Sequence, residues 1–169
     1  MTETDLRQAF EEHKDAVYDF ALRMTGLATV AEDVAQDCFV ELLRNPRGFD
    51  PARGSLRTFL FGVTRNLVYR YWRVDKRSVP MDDLSEDLAS YSPDLTAGFV
   101  SEVIRDSVQS LPAFQREAIV LFEYEGFTLE EIGAIANVDV GTVKSRLHRA
   151  RARLRQMLAP LRNHSGVEL

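Results

Sequence analysis

Hydrophobic residues recur at helical spacing, every three or four positions, through most of this chain. In the N-terminal part, the pattern predicts a helix over residues 5–24 that stops at Gly26. It predicts a second helix over residues 30–44, opened by a capping box in which Thr29 is the N-cap and Glu32 its partner. Strand-like alternation is absent, so the fold class that we expect is all-α.

The predicted second helix has two unlike faces. Its apolar face consists of Ala31, Ala35, Cys38, Phe39 and Leu42. Its other face consists of Asp33, Gln36, Asp37, Val40 and Glu41. Such a face is either a solvated acidic surface or a docking surface for a basic protein, and the pattern leaves both interpretations open.

A third helix is predicted from Leu56 to about Lys76, with Ser55 as its N-cap. One stripe of this helix is apolar and consists of Leu56, Phe59, Leu60, Val63 and Leu67. The opposite face mixes aromatic, basic and apolar residues: Phe61, Arg65, Val68, Tyr69 and Trp72. Aromatic rings interleaved with basic groups suit stacking on unpaired nucleobases beside a phosphate chain. The same rings equally suit burial against another helix.

Two further helices are predicted over residues 100–124, and the pattern of a helix-turn-helix follows them. Thr128 and Glu131 form the capping box of its short first helix. Asn137 tolerates the left-handed conformation of a tight turn. Asp139 is a good N-cap for the second helix.

The second helix of this motif is amphipathic, with a basic exterior. Its apolar stripe consists of Val143, Leu147, Ala150, Leu154 and Leu161. Its outer face consists of Ser145, His148, Ala152 and Gln156, flanked by Lys144, Arg149 and Arg155. A solvated helix of an ordinary bundle has a similar pattern. The capping box, the short turn and the small Gly141-Thr142 entry favour docking in a DNA major groove.

The charges divide the chain of 169 residues, whose net charge is −5. The whole acidic excess lies in residues 78–100, which carry five acidic residues and no basic one. This segment is predicted to be a linker with a short helical turn near residues 83–88. We therefore expect two small helical domains, residues 1–77 and 101–162, joined by that acidic linker and followed by a tail at 163–169.

Several classes of site and location are disfavoured. No apolar run approaches the length of a membrane span, and the acidic N-terminus is unlike a signal peptide, so we expect a cytoplasmic protein. Cys38 lies among apolar helical positions and is predicted to belong to the core. His13, His148 and His164 have no further ligand at metal-binding spacing. With no nucleophile–base pair or phosphate-binding glycine loop, we expect no metal, no cofactor and no enzymatic activity.

The chain resembles the extracytoplasmic-function (ECF, group 4) sigma factors of the bacterial sigma-70 family. Their core-polymerase-binding motif resembles AEDVAQDCFVELLRN at residues 31–45. Their segment that reads and melts the −10 element resembles FDPARGSLRTFLFGVTRNLVYRYWR at residues 49–73. Their −35-binding domain resembles residues 111–155, which contain VGTVKSRLHRAR. The order and spacing of these motifs make the resemblance specific.

The resemblance implies that the protein binds core RNA polymerase, recognises the −35 and −10 promoter elements and helps to melt DNA. Its polymerase partners would be the clamp of the largest catalytic subunit and the flap of the second-largest. The clamp-binding residues would be Asp33, Gln36, Asp37, Val40 and Glu41. The −10 residues would be Arg53, Ser55, Arg57, Thr58, Phe59, Arg65, Asn66, Tyr69, Arg70, Trp72 and Arg73. The −35 residues would be Thr142, Lys144, Ser145, Arg146, His148, Arg149, Arg151 and Arg153.

The resemblance also implies an anti-sigma partner and a linker that enters the RNA channel of polymerase. The chain departs from the family pattern at two positions. Phe59 stands where the family often has Trp, and it lacks the indole hydrogen-bond donor. His148 differs from the residue of many relatives, so the −35 sequence does not transfer. The competing interpretation is a one-component helix-turn-helix regulator with an N-terminal sensing domain.

Overall fold

The computed structural model describes residues 1–75 and 100–165, with side chains described for residues 1–74 and 100–161. The α-helices in these ranges are α1 (Glu3–Thr25), α2 (Ala28–Arg44), α3 (Leu56–Asp75), α4 (Val100–Gln109), α5 (Ala113–Ile119), α6 (Leu129–Ala136) and α7 (Val140–Ser165). No strand occurs in the described ranges, and the all-α prediction is confirmed. The predicted linker, with its helical turn near residues 83–88, lies outside the described residues except for Val100.

The first helical hairpin begins and turns through local signals. A capping box of Thr2 and Asp5 opens α1, a little before the predicted start. Gly26 ends α1 in the left-handed conformation, with φ 71°, as predicted. The predicted capping box at Thr29 is wrong. The turn at Gly26 reverses the chain so quickly that Leu27 is the N-cap and Thr29 lies in the first turn of α2.

The helices α1, α2 and α3 enclose the N-terminal part of the core. The buried side chains include Phe20, Met24, Cys38, Leu42 and Leu60. Val34 is buried in α2, where the sequence pattern indicated Ala35, which is half-buried. The prediction of a core cysteine is confirmed, because Cys38 is fully buried and burial raises the pKa of its thiol to about 11.

The helix predicted to continue to Tyr124 changes character after α5. Residues Val120–Tyr124 form a π-helical turn, in which the backbone N–H of Glu125 donates to the carbonyl of Val120 at 3.1 Å. Gly126 then takes a positive φ of 71°, which lets the chain leave the helix. This turn carries Glu125 and Phe127 to the surface of the N-terminal helices.

The helix-turn-helix forms as its sequence predicts. Thr128 and Glu131 make both hydrogen bonds of the capping box, and Asn137 is left-handed with φ 56°. Asp139 accepts the backbone N–H of Thr142 at 2.7 Å, which caps α7. The sequence analysis missed the role of Gly133: a Cβ there would lie 2.8 Å from the carbonyl oxygen of Val138. The last helix, α7, continues through Ser165, into the predicted tail.

The N-terminal unit (α1–α3) packs directly on the C-terminal unit (α4–α7). Helix α3 contacts α6, and α1 contacts α4, α5 and the π-helical turn. Phe61 lies between Phe20 and Phe127, with ring centroids 5.1 and 4.9 Å away. Phe61 and Val68 are 0% exposed and Tyr69 is 4% exposed. Of the two interpretations of this face of α3, burial is therefore the one that the structure shows for these three residues.

Candidate nucleic-acid and partner interfaces

The polar face of α2 is exposed where the sequence predicts a docking surface. Asp33, Gln36, Asp37 and Glu41 are exposed, and Val40 is half-buried. The helix positions them because its other side is held in the core. Among the described residues, none of the three carboxylates has an ion-pair partner. The face is therefore an uncompensated acidic surface.

Residues from the α2–α3 connection and the start of α3 surround an open cavity of about 570 Å³. Two 3₁₀ turns, Pro46–Gly48 and Pro51–Arg53, shape its rim. Ser55 accepts the backbone N–H of Thr58 at 3.1 Å, which confirms it as the cap of α3. The predicted −10 residues that line the cavity are Arg53, Ser55, Thr58, Phe59, Arg65 and Asn66.

Phe59 is the aromatic side chain that the structure brings to this cavity from α3. Its ring lies 5.6 Å from that of Phe49, centroid to centroid, and both rings line the cavity. Sequence reasoning did not single out Phe49. Its place directly before the Asp50-Pro51 turn was the available signal. The cavity thus combines two rings, hydroxyls and basic side chains, a set that suits an unpaired nucleobase and its phosphate.

The other predicted −10 residues do not share this cavity. Arg70 and Arg73 are exposed further along α3. Trp72 is half-buried, with its ring edge-on to that of Tyr69 at 5.1 Å. Arg57 lies over the ring of Phe127 at 4.0 Å, within the contact between the two units. The structure therefore divides the predicted −10 set among the cavity, the exposed end of α3 and the interface between units.

A buried carboxylate joins the two predicted DNA-binding surfaces. Glu117 of α5 is 1% exposed and accepts a hydrogen bond from Arg65 Nε of α3. Its second oxygen lies 3.8 Å from Arg146 Nη1 of α7 and accepts from the Tyr69 hydroxyl at 3.4 Å. The side chains of Arg65 and Arg146 are 14% and 18% exposed. Arg65, Tyr69 and Arg146, which the resemblance assigns to DNA, therefore face inward here.

Burial governs the ionisation of the groups in this cluster. It raises the pKa of the Glu117 carboxyl, whereas the guanidinium groups of Arg65 and Arg146 lower it. Burial, followed by the charge of Glu117, raises the pKa of Tyr69. The phenol stays protonated and donates, so Glu117 accepts hydrogen bonds from Arg65 and Tyr69 and forms an ion pair with Arg146.

A second group of contacts ties the units together around Glu125. Its carboxylate lies 3.4 Å from Arg23 Nη1 of α1 and 3.5 Å from Arg57 Nη2 of α3. Arg57 also donates to the backbone carbonyl of Glu125 at 2.6 Å. Arg116 of α5 donates to the carbonyl of Met24, and burial lowers its pKa to about 10. Sequence patterns gave no sign of any of these long-range pairs.

The outer face of α7 stays open to solvent. Lys144, Ser145, His148 and Arg149 are exposed, while Thr142 is half-buried beside the helix N-terminus. The apolar stripe holds α7 in place, because Val143, Leu147 and Ala150 are at most 3% exposed. Arg153 is half-buried further along. Arg151 donates to Glu123 at 3.1 Å, so part of its charge is already compensated.

The C-terminal unit has a second, apolar groove of about 570 Å³ between α4, α5 and α7. Its apolar lining consists of Ile104, Val108, Ile119, Tyr124, Leu154 and Leu158.

Within residues 1–75 and 100–165, no helix is long and apolar enough to cross a membrane. The same ranges hold no cluster of three or more His, Cys, Asp or Glu side chains that could bind a metal.

Both units match known families. Residues 9–78 match the family described as Sigma-70 region 2, and residues 101–154 match Sigma-70, region 4. The chain is 35% identical to ECF RNA polymerase sigma factor SigE of Mycolicibacterium smegmatis over 88% of its own length and 59% of that protein. It is 36% identical to EcfG of Rhodopseudomonas palustris, over 82% and 77% of the two chains. It is 34% identical to SigW of Bacillus subtilis, over 88% and 86%.

Two solved structures resemble the whole arrangement. The sigma factor RpoE in complex with the anti-sigma factor NepR, from Bartonella quintana, matches with a TM-score of 0.73 and 30% identity over 92% of this chain and 97% of that one. CnrH in complex with the cytosolic domain of CnrY matches with a TM-score of 0.72 and 25% identity over 94% and 90%. The chain therefore belongs to the sigma-70 family, in its extracytoplasmic-function group of RNA polymerase sigma factors.

Proposed function

We propose that this protein directs core RNA polymerase to promoters, by recognising the −35 and −10 elements and by helping to melt the DNA. The observation that carries the proposal is the convergence of six predicted −10 residues on one cavity, in a chain whose helix-turn-helix leaves its basic face exposed. Family membership supplies the rest of the argument. Sigma factors act by binding, and we propose no catalytic role for any residue of this chain.

The −10 step would use the cavity at the start of α3. A base flipped from the non-template strand would stack on Phe59, which is half-buried and faces Phe49. The hydroxyls of Ser55 and Thr58 are placed to meet its polar edge. Arg70 and Arg73 would continue the contact along the phosphates, since both are exposed on the same helix.

The −35 step would use α7 as a recognition helix in the major groove. Lys144, Ser145, His148 and Arg149 are supported as the reading residues, because they are exposed in the first turns of the helix. Arg153 is further along and at the side, where contacts to phosphate are expected. Asp139 fixes the position of the helix N-terminus through its bond to the Thr142 backbone.

Polymerase would be bound at two places. The acidic face of α2, with Asp33, Asp37 and Glu41, suits the basic surface that we propose on the clamp of the largest subunit. The apolar groove between α4, α5 and α7 suits an apolar segment of the flap of the second-largest subunit. We therefore propose that the protein acts in the cytoplasm, together with polymerase.

Regulation by an anti-sigma factor is a separate part of the proposal. The sigma factor RpoE is seen with the anti-sigma factor NepR, and CnrH is seen with the cytosolic domain of CnrY. We propose that a comparable partner covers the polymerase- and DNA-binding faces of this chain. A strain in which the protein is free under all conditions, with transcription tracking its synthesis alone, would contradict this part.

Run-off transcription tests the main proposal. Purified protein is added to core polymerase and a library of fragments from the genome of its own organism. Discrete transcripts are expected only with the protein present, and their start sites should share two conserved elements. A one-component regulator would instead bind DNA specifically without core polymerase and give no new transcripts from core polymerase, an outcome that would reject a sigma-factor role.

A further inference from the structure

Two carboxylates bind arginines across the contact between the N-terminal and C-terminal units, which also share an apolar core. Among the described residues, every ion pair between the units ends on Glu117 or Glu125. Their partners are Arg65, Arg57 and Arg23. Glu117 also holds Arg146 within its own unit at 3.8 Å, so a single carboxylate neutralises a basic group from each of the predicted DNA-binding helices.

This arrangement cannot coexist with binding to both promoter elements. The −10 and −35 elements are named for their positions in base pairs, so they lie roughly 25 base pairs apart. This is about 85 Å along B-DNA at 3.4 Å per base pair. Arg65 belongs to the −10 surface and Arg146 to the −35 surface, yet both touch the same carboxylate. A segment of roughly 24 residues, the length of 76–99, can span up to about 80 Å, so the linker permits the units to separate.

The same contact also covers part of the −10 cavity. One wall of that cavity is formed by α6 of the C-terminal unit, through Ala134, Ile135 and Asn137. Tyr69, the aromatic residue beside Arg65, packs against Phe114 with ring centroids 5.8 Å apart. The closed arrangement therefore removes both charge and access from the surface that melted DNA would use.

We propose that Glu117 and Glu125 are an internal substitute for DNA phosphates, and that they hold the free protein in a closed state from which it must open to bind a promoter. The inference rests on the proposed function, because it takes Arg57, Arg65 and Arg146 as ligands of DNA. A carboxylate satisfies arginine in the same charge-assisted way as a phosphate does. Arg57 and Arg65 therefore change partners on opening rather than losing them, whereas Arg146 lies beside Glu117 within one unit. Core polymerase, by binding the two units at separate places, would stabilise the open state.

The double variant Glu117→Gln/Glu125→Gln, which removes both negative charges, tests whether the two carboxylates hold the closed state. In the closed state it leaves four half-buried arginines without a counter-charge, namely Arg23, Arg57, Arg65 and Arg146, which favours opening. The matched control is Glu102→Gln/Glu130→Gln: it makes the same change in net charge in the same unit, at exposed positions outside the ion pairs between the units. Circular dichroism and thermal melting first establish that each variant keeps its helices.

Small-angle scattering of the free protein gives the first readout. A compact chain of this length has a radius of gyration of about 15 Å, and separated units should exceed about 20 Å. Wild type and control should be compact, and the double variant expanded. A compact double variant with intact helices, or an expanded wild type, would overturn the proposal. This readout needs neither polymerase nor a promoter.

Binding of a labelled single strand of DNA, 20 nucleotides of mixed sequence, gives the second readout. Phosphate contacts do not depend on sequence, so the promoter need not be known. If the open state is a minor one, full opening should tighten the apparent Kd by about tenfold or more, and the control should not. Equal affinities would also overturn the proposal. Failure of wild type to support run-off transcription would instead count against the sigma-factor assignment, so the two failures are distinguishable.

Discussion

The two helices that we assign to DNA present their basic side chains in opposite ways. In α7, Lys144 and Arg149 face solvent, and no described residue competes for them. In α3, Arg65 and Tyr69 face the C-terminal unit and bind Glu117. Both helices have an apolar stripe and basic residues opposite it. The difference therefore arises from what packs against each helix, and not from the pattern of the helix itself.

The largest expected effect is a loss of affinity for core polymerase when exposed charges of α2 are reversed. Reversing the two α2 carboxylates, in Asp33→Arg/Asp37→Arg, should weaken holoenzyme formation by about a hundredfold or more, since like charges would meet at the clamp. Both side chains are exposed, so the melting temperature should stay near that of wild type. Titration of core polymerase with labelled protein measures the affinity.

The control for this reversal is Glu12→Arg/Asp15→Arg on α1, which changes the charge equally on exposed positions of another helix. It should retain the affinity of wild type for core polymerase. If both double variants lose affinity equally, the effect is one of net charge, and the assignment of the α2 face is wrong.

The free energy of unfolding tests the burial of the second face of α3. Phe61→Ala removes a ring that is 0% exposed and packs on Phe20 and Phe127, so unfolding should cost about 3–5 kcal/mol less. Phe10 is 42% exposed and makes one edge-to-face contact, with Phe39. Phe10→Ala should therefore change the unfolding free energy far less. Urea denaturation of both variants measures the difference, and equal losses would contradict the burial of Phe61.

The sequence was sufficient where the determining interactions are local. The capping box of Thr128 and Glu131, the turn at Asn137 and the cap at Asp139 each involve residues within three positions of one another, and all three form as predicted. The chain stop at Gly26 belongs to the same class. The Thr29 prediction failed because two overlapping local signals competed, and the turn at Gly26 determined the N-cap.

The sequence was insufficient where partners are distant. Glu117 is 52 residues from Arg65, and in sequence it is an ordinary acidic residue of a short helix. The aromatic residues on the second face of α3 fit stacking and burial equally well, because both need rings at helical spacing. Phe127 buries Phe61 and helix α5 buries Tyr69, and no periodicity within one helix reports on that packing.

A smaller effect is expected at Phe59, which is half-buried at the start of α3. Phe59→Ala should leave binding to duplex promoter intact but reduce melting, because base stacking on an aromatic ring contributes about 1–3 kcal/mol. Permanganate reactivity of −10 thymines in the holoenzyme complex reports the opening. Phe59→Trp, which restores the aromatic residue frequent in the family, is the control and should melt at least as well as wild type. A loss of folding stability as large as that of Phe61→Ala would place Phe59 in the core instead.

The last and smallest effects distinguish residues of α7 that recognise bases from residues that contact phosphates. Arg149 is exposed early on the helix, so Arg149→Ala should cost about 1–3 kcal/mol and relax specificity at one −35 position. Arg153 lies later and at the side of the helix, so Arg153→Ala should weaken binding to all sequences alike. It should also lower, by about one, the slope of log affinity against log salt concentration. Arg151 is a less decisive choice than Arg153, because Glu123 already compensates part of its charge.

Both α7 variants are best measured in holoenzyme, against a panel of −35 single-base changes at several salt concentrations. In the free protein, binding of DNA by α7 would be mixed with the opening of the closed state that we propose, in which Glu117 binds Arg65 of the other unit. In holoenzyme, where we propose that polymerase holds the units apart, the exposed face of α7 is tested alone. A uniform loss for Arg149→Ala together with a sequence-selective loss for Arg153→Ala would reverse the assignment, because α7 would then enter the groove by a different face.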